Sequence, residues 1–206
     1  MLKKLKDWIL PKEIDFFGSL YKQSIATKAV IEKLIEYYSS DSNMDHDELF
    51  SLIEEAKNLR KIHIKELNST FITPVDKEAI SRVYTHLNWI VLSIKHLVIE
   101  ADIYKIFDLK DYKNILDILL KEINELTSGI KYLSNKNYDK ILLSIDKVIN
   151  FDDNLIKEYA SALAIIFQKA EKGQMEQKEI LSQIKEISKR IHFCANYLED
   201  IVFKLN

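Results

Sequence analysis

Glycine and proline are almost missing from this sequence, which has three glycines and two prolines in 206 residues. A β-rich fold of this length needs many tight turns, and tight turns depend on these two residues. Long segments without them favour helices, because both residues destabilise a helix interior. Apolar residues make up 47% of the chain, which is enough for a packed core. The composition therefore predicts an all-α protein with long helices.

Arginine is also scarce, with only Arg60, Arg82 and Arg190 among 30 basic residues. Arginine is the side chain that most often binds phosphates and base edges through two hydrogen bonds. The net charge is −2, so the chain has no general attraction for a polyanion. We therefore expect no nucleic-acid partner.

The chain has a single cysteine, Cys194, so no disulfide within the chain can form, and a reducing compartment is expected. The N-terminal segment MLKKLKDWIL carries charges throughout and does not resemble a secretory signal. The longest uncharged stretch covers residues 83–94, which is too short to cross a bilayer. These features predict a cytoplasmic protein that reaches a membrane only at its surface or through a partner.

Apolar residues recur in alternating steps of three and four along most of the chain, which is the pattern of packed helices. In the last predicted helix this series is Ile180, Ile184, Ile187, Ile191, Cys194, Leu198, Ile201 and Leu205. An average repeat of 3.5 residues favours nearly parallel helix packing. We therefore predict an elongated bundle of six helices near residues 14–38, 45–70, 76–107, 111–133, 138–172 and 175–205.

An internal repeat is suggested by two similar helix starts about a hundred residues apart. Lys77-Glu78-Ala79-Ile80 recurs as Lys178-Glu179-Ile180-Leu181. The sequence thus predicts one domain over residues 1–206, made of two tandem three-helix repeats at about 14–107 and 111–205.

The segment between the second and third predicted helices has the most distinctive sequence. Thr73 is suited to cap the next helix, Pro74 to occupy its first position, and Asp76 to place a negative charge at its N-terminus. Phe71 and Ile72 are predicted to pack back onto the bundle as a hydrophobic staple. We call residues 69–77 the corner, and interpret it either as a structural connection or as a partner-binding segment.

The corner string LNSTFITPVDKEAI resembles the signature of PhoU-like phosphate-transport regulators, which are often encoded beside a Pit-type phosphate transporter. The strings PKEIDFF near the start and CANYLEDIV near the end are also similar to this family. The resemblance covers essentially the whole chain and implies a PhoU-like fold. It further implies regulation of phosphate uptake through contacts with a transporter or a signalling protein at the membrane face, without catalysis.

The family also binds multinuclear iron or zinc clusters through carboxylates spaced four residues apart, and this chain departs from that pattern. We aligned this chain with the family's pattern at the corner. The family's acidic positions are then occupied here by Ile53, Lys57, Trp89, Lys185 and Lys189, among others. An ammonium group repels a cation and has no lone pair to offer it. We therefore expect no bound metal, and the residual candidate ligands are Glu54, Glu55, Asp152 and Asp153.

Two polar residues fall in apolar rows of their helices, Asp152 and His63. A buried carboxylate is costly unless it is paired or hydrogen-bonded. We interpret Asp152 as a buried acid paired with lysine or bonded to tyrosine or histidine, with a remnant metal ligand as the alternative. His63 is interpreted as a core histidine, although its place in the first repeat is comparable to that of Asp152 and the two could meet.

Catalytic signatures are missing from the sequence. The chain contains no GxxxxGK, GxSxG or CxxC motif, and no Glu-x-x-His pair of the kind that di-iron bundles use. Cys194 lies in an apolar row and is interpreted as a small core residue. We therefore predict that the protein is not an enzyme.

The leading hypothesis is thus a non-enzymatic accessory protein of phosphate transport. Two alternatives remain open: a regulator that binds iron or zinc at a reduced carboxylate site, and a purely structural helical adaptor. The N-terminal Lys3, Lys4 and Lys6 flank apolar residues, and this segment either packs on the bundle or lies on an anionic membrane surface. Apolar residues outside these apolar rows of the helices would also support a homodimer.

Overall fold

The computed structural model describes residues 14–39, 46–169 and 173–205, with the side chain of residue 169 left out. The predictions for the N-terminal lysines lie outside these ranges. A 3₁₀ turn, Lys110–Tyr112, precedes the fourth helix. The described residues form six α-helices: α1 (Phe16–Ser39), α2 (Asp47–Ser69), α3 (Lys77–Tyr104), α4 (Lys113–Leu133), α5 (Tyr138–Lys169) and α6 (Gln174–Leu205).

All six predicted helices are present, and their ends differ by a few residues. The third helix was expected to reach residue 107 but ends at Tyr104. Lys105 adopts a left-handed conformation with φ 59°, and the backbone N–H of Ile106 donates to the carbonyl of Ala101 at 2.9 Å. This left-handed cap satisfies carbonyl groups at the helix end and reverses the chain. It formed without the glycine that usually marks such an end in a sequence.

We describe the helices as two sets of three, which also pack extensively on each other. Helices α1, α2 and α3 pack on one another, and so do α4, α5 and α6. The two sets meet where α1 packs on α4 and α3 packs on α6. The predicted all-α bundle is confirmed. The assignment of residues 1–206 to one domain, with repeat limits at 14–107 and 111–205, stays a prediction.

The predicted rows of apolar residues along the helices, which we call seams, form the core. In α6 every member of the apolar series from Ile180 to Ile201 is buried, and Leu205 packs against the core from the end of the helix. Cys194 is one of these residues, and burial raises the pKa of its thiol. Its thiol therefore stays protonated at neutral pH, as its interpretation as a core residue requires.

The helices in the second set approach closely around Gly129 of α4. A Cβ atom at this position would lie 3.1 Å from Cδ2 of Leu198 and 3.3 Å from Cβ of Ser144. Glu122 lies two helical turns earlier in α4 and so faces the same way. It therefore points into the space between α5 and α6.

One end of the bundle, which we call the corner end, holds the corner and the C-terminus of α6. Lys204 and Asp76 form an ion pair there with Nζ and Oδ2 2.6 Å apart. At the opposite end the backbone N–H of Leu109 donates to the carbonyl of Tyr38 at 3.1 Å. No helix in the described ranges is long and apolar enough to cross a membrane.

Candidate functional site

A polar cluster, buried except for the half-buried His192, lies between the three helices of the second set. Its members are Glu122 of α4, Asp152 of α5, and Ser188 and His192 of α6. Oγ of Ser188 lies 2.7 Å from Oε1 of Glu122 and 2.8 Å from Oδ1 of Asp152. Nδ1 of His192 lies 2.7 Å from Oδ2 of Asp152. We call these four residues the carboxylate cluster.

The hydroxyl of Ser188 has one proton but lies between two carboxyl groups, so it can donate to only one of them. Burial raises the pKa of Glu122 to about 8; its bond to Ser188 opposes this shift and the charge of Asp152 adds to it. Glu122 is therefore protonated at neutral pH. It donates to Oγ of Ser188, and Ser188 donates to Asp152.

Protonation of Glu122 removes the repulsion between two buried carboxylates in the cluster. With Glu122 neutral, the buried negative charge belongs to Asp152, which also contacts the imidazole of His192. Oε2 of Glu122 has no hydrogen-bond partner within the described part of the protein. An ionised Glu122 would leave a charged oxygen buried without a partner, which is unfavourable.

The interpretation of Asp152 as a buried acid bonded to histidine is confirmed, whereas its suggested meeting with His63 is wrong. His63 packs against the ring of Tyr84 in the first set of helices, with centroids 5.2 Å apart. Burial lowers the pKa of His63, so its ring is neutral at neutral pH. The two residues occupy comparable rows, but each row faces the interior of its own three-helix set.

The corner differs from its prediction in two respects. Phe71 and Ile72 do not pack back on the bundle, because their side chains are 101% and 84% exposed. Val75 takes the buried position instead. The predicted hydrophobic staple is therefore wrong, since the single apolar contact of this segment with the core comes from Val75.

The cap of α3 is Asp76 rather than Thr73. Oδ1 of Asp76 accepts from the backbone N–H of Ala79 at 2.8 Å, and the helix starts at Lys77. Thr73 instead donates its hydroxyl to the carbonyl of Val75 at 2.6 Å. Because the helix begins at Lys77, Pro74 lies before it and not at its first position as predicted. Thr70 likewise donates to the carbonyl of Glu66 at 2.8 Å. These bonds hold the backbone of the corner on both sides of the two exposed apolar side chains.

Replacement of Asp76 by alanine is expected to lower the free energy of unfolding by about 1–2 kcal/mol, because it removes the N-cap of α3. Urea denaturation at neutral pH measures the change. Asp76→Asn is the matched control, since asparagine retains a capping oxygen but loses the ion pair with Lys204. Equal losses in the two variants would show that the ion pair, and not the cap, stabilises the corner.

Comparison with solved structures identifies the fold. The chain superposes on a PhoU-like protein from Shewanella oneidensis MR-1 with a TM-score of 0.71, covering 93% of this chain and 99% of that one at 9% sequence identity. The chain has the PhoU-like fold. The fold that the resemblance of the corner and the chain ends implied is thereby confirmed.

Among curated proteins, the UPF0111 protein YkaA of Bacillus subtilis (strain 168) is 24% identical over 155 residues. The matched region covers 73% of this chain and 76% of YkaA. No protein-family model matches the sequence. The PhoU-like fold is therefore established by the arrangement of the helices.

The residues of this chain do not fit the metal clusters that the resemblance implies. Two of the positions registered for acids are lysines: Nζ of Lys185 lies 4.4 Å from the ring centroid of Tyr159, and that of Lys189 lies 5.6 Å from that of Phe193. Over the three described ranges, no group of three or more His, Cys, Asp or Glu side chains is arranged to hold a metal ion.

The four residual candidate ligands do not form one site in the PhoU-like fold. Glu54, Glu55 and Asp153 are exposed. Glu54 forms an ion pair with Lys57, which lowers the pKa of its carboxyl group, whereas Asp152 belongs to the carboxylate cluster. The expectation that the protein binds no iron or zinc stays a prediction.

Sequence reasoning missed Glu122, Ser188 and His192 as members of a cluster. A signal was present for Glu122, which lies three residues after Leu119 and four before Leu126 and so occupies the apolar row of α4. A glutamate in such a row calls for a partner on a neighbouring helix. His192 gave no comparable signal, because it follows the seam residue Ile191 and lies at the edge of the row.

Proposed function

We propose that this PhoU-like protein is a non-enzymatic accessory protein of inorganic phosphate transport that acts through protein contacts. It binds a phosphate transporter, or a signalling protein associated with it, from the cytoplasmic side of the membrane. The observation that carries the proposal is the exposure of Phe71 and Ile72 on a corner whose backbone is held by hydrogen bonds.

Exposed apolar side chains on a well-ordered segment favour binding, because a partner can cover them without first ordering the chain. A third exposed apolar side chain directly precedes the residue that pairs with Asp76 of the corner. Phe203, near the C-terminus of α6, is 69% exposed, and its neighbour Lys204 is paired with Asp76. We call Phe71, Ile72 and Phe203 the corner surface. Aromatic side chains of this kind are enriched at the centres of protein interfaces.

The double substitution Phe71→Ser and Ile72→Ser is expected to weaken binding to the organism's inorganic phosphate transporter at least about tenfold, as loss of two central apolar contacts does. The transporter is purified in nanodiscs, and the affinity is measured by biolayer interferometry. The unfolding free energy should change by less than about 0.5 kcal/mol, because both side chains are exposed.

Phe167→Ser is the matched control, because Phe167 is an exposed phenylalanine near the C-terminal end of α5, at the opposite end of the bundle. It should leave the affinity unchanged. The proposal fails if the wild-type protein does not bind the transporter and if deletion of its gene leaves phosphate uptake unchanged at low and high external phosphate. Binding that is insensitive to the double substitution would reject the role of the corner surface alone.

The two other hypotheses predict different results. A metal-binding regulator requires several iron or zinc atoms per chain, which elemental mass spectrometry of protein purified without a histidine tag detects. A structural adaptor unrelated to phosphate requires normal phosphate uptake in the deletion strain. Both measurements therefore separate these hypotheses from the proposed function.

A further inference from the structure

The solvent-facing side of α3 carries a second row of apolar residues. Its steps alternate between three and four residues, as in the buried seams, so its members share one face of the helix. Four of its five positions are apolar, and a histidine occupies the middle one. We call this row the outer row: Trp89, Leu92, His96, Ile99 and Ile103.

The outer row is open to solvent. None of its five members belongs to the hydrophobic core that the described residues form. Trp89, Ile99 and Ile103 are 42%, 41% and 70% exposed. His96 is exposed as well, and Leu92 is half-buried. Single exposed apolar residues are ordinary on a protein surface, whereas a continuous row over about four helical turns marks an interaction site.

Helices α2 and α6 lie on either side of the outer row. On one side, Nζ of Lys95 lies 3.9 Å from Oε1 of Glu54, which belongs to α2. On the other side, Nε2 of Gln183, which belongs to α6, donates to Oε1 of Glu100 at 3.0 Å. The residues that flank the row thus have partners within the chain, while the row between them faces outward.

The spacing of the outer row is typical of a surface that another helix covers, because rows with steps of three and four interlock with an equal row at a small crossing angle. The row is also nearly symmetric about His96. Trp89 and Ile103 lie seven residues to either side of it, and Leu92 and Ile99 lie four and three residues away. A second α3 running in the opposite direction therefore places Trp89 against Ile103 and Leu92 against Ile99, and each contact occurs twice.

The charges of α2, which flanks the row, favour the same arrangement. Its basic residues are Lys57, Arg60, Lys61 and Lys65, and four of its five acidic residues precede them, at positions 47–55. When two α3 helices pack antiparallel about a two-fold axis, α2 of one copy lies beside α2 of the other in the reverse direction. The acidic half of each α2 then lies beside the basic half of the other, which is a complementary arrangement.

The face that α2 and α3 form together is large enough for a stable dimer. The two helices have 23 and 28 residues, so the face is about 35 Å long, and two adjacent helices are about 20 Å wide. Its area of about 700 Å² is close to the roughly 800 Å² that each partner contributes to a stable interface. Because a second copy of the chain presents the same face, the two areas match.

We propose that the protein forms a symmetric dimer in which the outer rows of two α3 helices pack antiparallel about a two-fold axis at His96. The dimer covers the apolar members of both rows. The two His96 side chains meet at the axis, where each neutral imidazole offers one donor and one acceptor nitrogen to the other. The corner surfaces lie at opposite ends of this dimer and remain free, so the proposal goes beyond the proposed function and does not depend on it.

Sedimentation velocity of the full chain over about 1–100 µM measures dimerisation. We expect a species with twice the mass of one chain, in a fraction that increases with concentration. Ile99→Glu should weaken the dimer at least about a hundredfold, because each new charge is buried against Leu92 of the other copy and the substitution occurs twice. Ile156→Glu is the matched control, since Ile156 is 46% exposed on α5, in the other set of helices. It should change the dimer affinity less than about twofold.

Disulfide formation tests the antiparallel direction. Cys194, the one native cysteine, is buried, so it does not contribute to cross-linking. His96→Cys should link two copies, because position 96 meets itself at the axis. Leu92→Cys and Ile99→Cys should each stay unlinked alone, because like positions lie about 12 Å and about 9 Å apart along the helices, beyond the reach of a disulfide. A mixture of these two variants should link, because the two positions face each other.

Three outcomes would overturn the proposal. A chain that stays monomeric at every concentration leaves the outer row to a different protein. A dimer that Ile99→Glu does not weaken, or that Ile156→Glu weakens equally, uses another face. Self-linking of both Leu92→Cys and Ile99→Cys shows a parallel pair. The cysteine pattern decides the question alone if circular dichroism shows that Ile99→Glu does not fold.

Discussion

Glu122→Gln is expected to raise the free energy of unfolding by about 2–4 kcal/mol at pH 8 and to change it little at pH 4. Glutamine has the shape of the protonated glutamate and cannot ionise. In the folded protein burial raises the pKa of Glu122 from its ordinary 4.5 to about 8. The folded state therefore binds more protons than the unfolded state between these two values.

The sign of the effect follows from this difference in bound protons. The stability that Glu122 contributes is fully present below its unfolded pKa of about 4.5. It is lost as the pH rises towards the folded pKa of about 8, above which no further change occurs. Glutamine removes this loss, so the difference between the variant and the wild type grows across the same interval and then stays constant.

Urea denaturation at several pH values from 4 to 9 measures the difference directly. Glu179→Gln is the matched control, because it makes the same chemical change at an exposed position of α6. Its effect should stay within about 0.5 kcal/mol at every pH. A difference for Glu122→Gln that does not depend on pH would show that Glu122 is ionised in the folded protein and that our assignment of the cluster protons is wrong.

Asp152→Ala is expected to lower the free energy of unfolding by about 2–4 kcal/mol at neutral pH. The substitution leaves the hydroxyl of Ser188 and the imidazole of His192 without their shared acceptor and opens a small cavity between α5 and α6. The loss is smaller than for a fully enclosed ion pair, because the side chain of His192 is 28% exposed and can bond to water instead.

The next residue in the sequence provides the control for this prediction. Asp153 is exposed on the same helix, so Asp153→Ala makes the same change in composition and helix propensity without touching the cluster. It should alter the free energy of unfolding by less than about 0.5 kcal/mol. Similar losses in the two variants would mean that Asp152 has no stabilising partners in the folded protein.

The helices and the core were predictable from the sequence, because both depend on the spacing of apolar residues along a single segment. The seam of α6 from Ile180 to Ile201 was read directly from steps of three and four, and these residues are buried. Asp152 could be recognised as a buried acid for the same reason. The resemblance of the corner string also predicted the PhoU-like fold, which the structural comparison confirms.

The partners of these residues required the tertiary structure. A seam shows which face of a helix is buried but not how far each helix is shifted along its neighbours. The sequence alone therefore did not pair Asp152 with His192, or place Ser188 beside Glu122. Phe71 and Ile72 were wrongly expected to pack on the bundle, whereas Val75 takes the buried position of the corner. Local periodicity determined the helices and their buried faces, whereas the registration of helices against one another decided which side chains meet and which remain exposed.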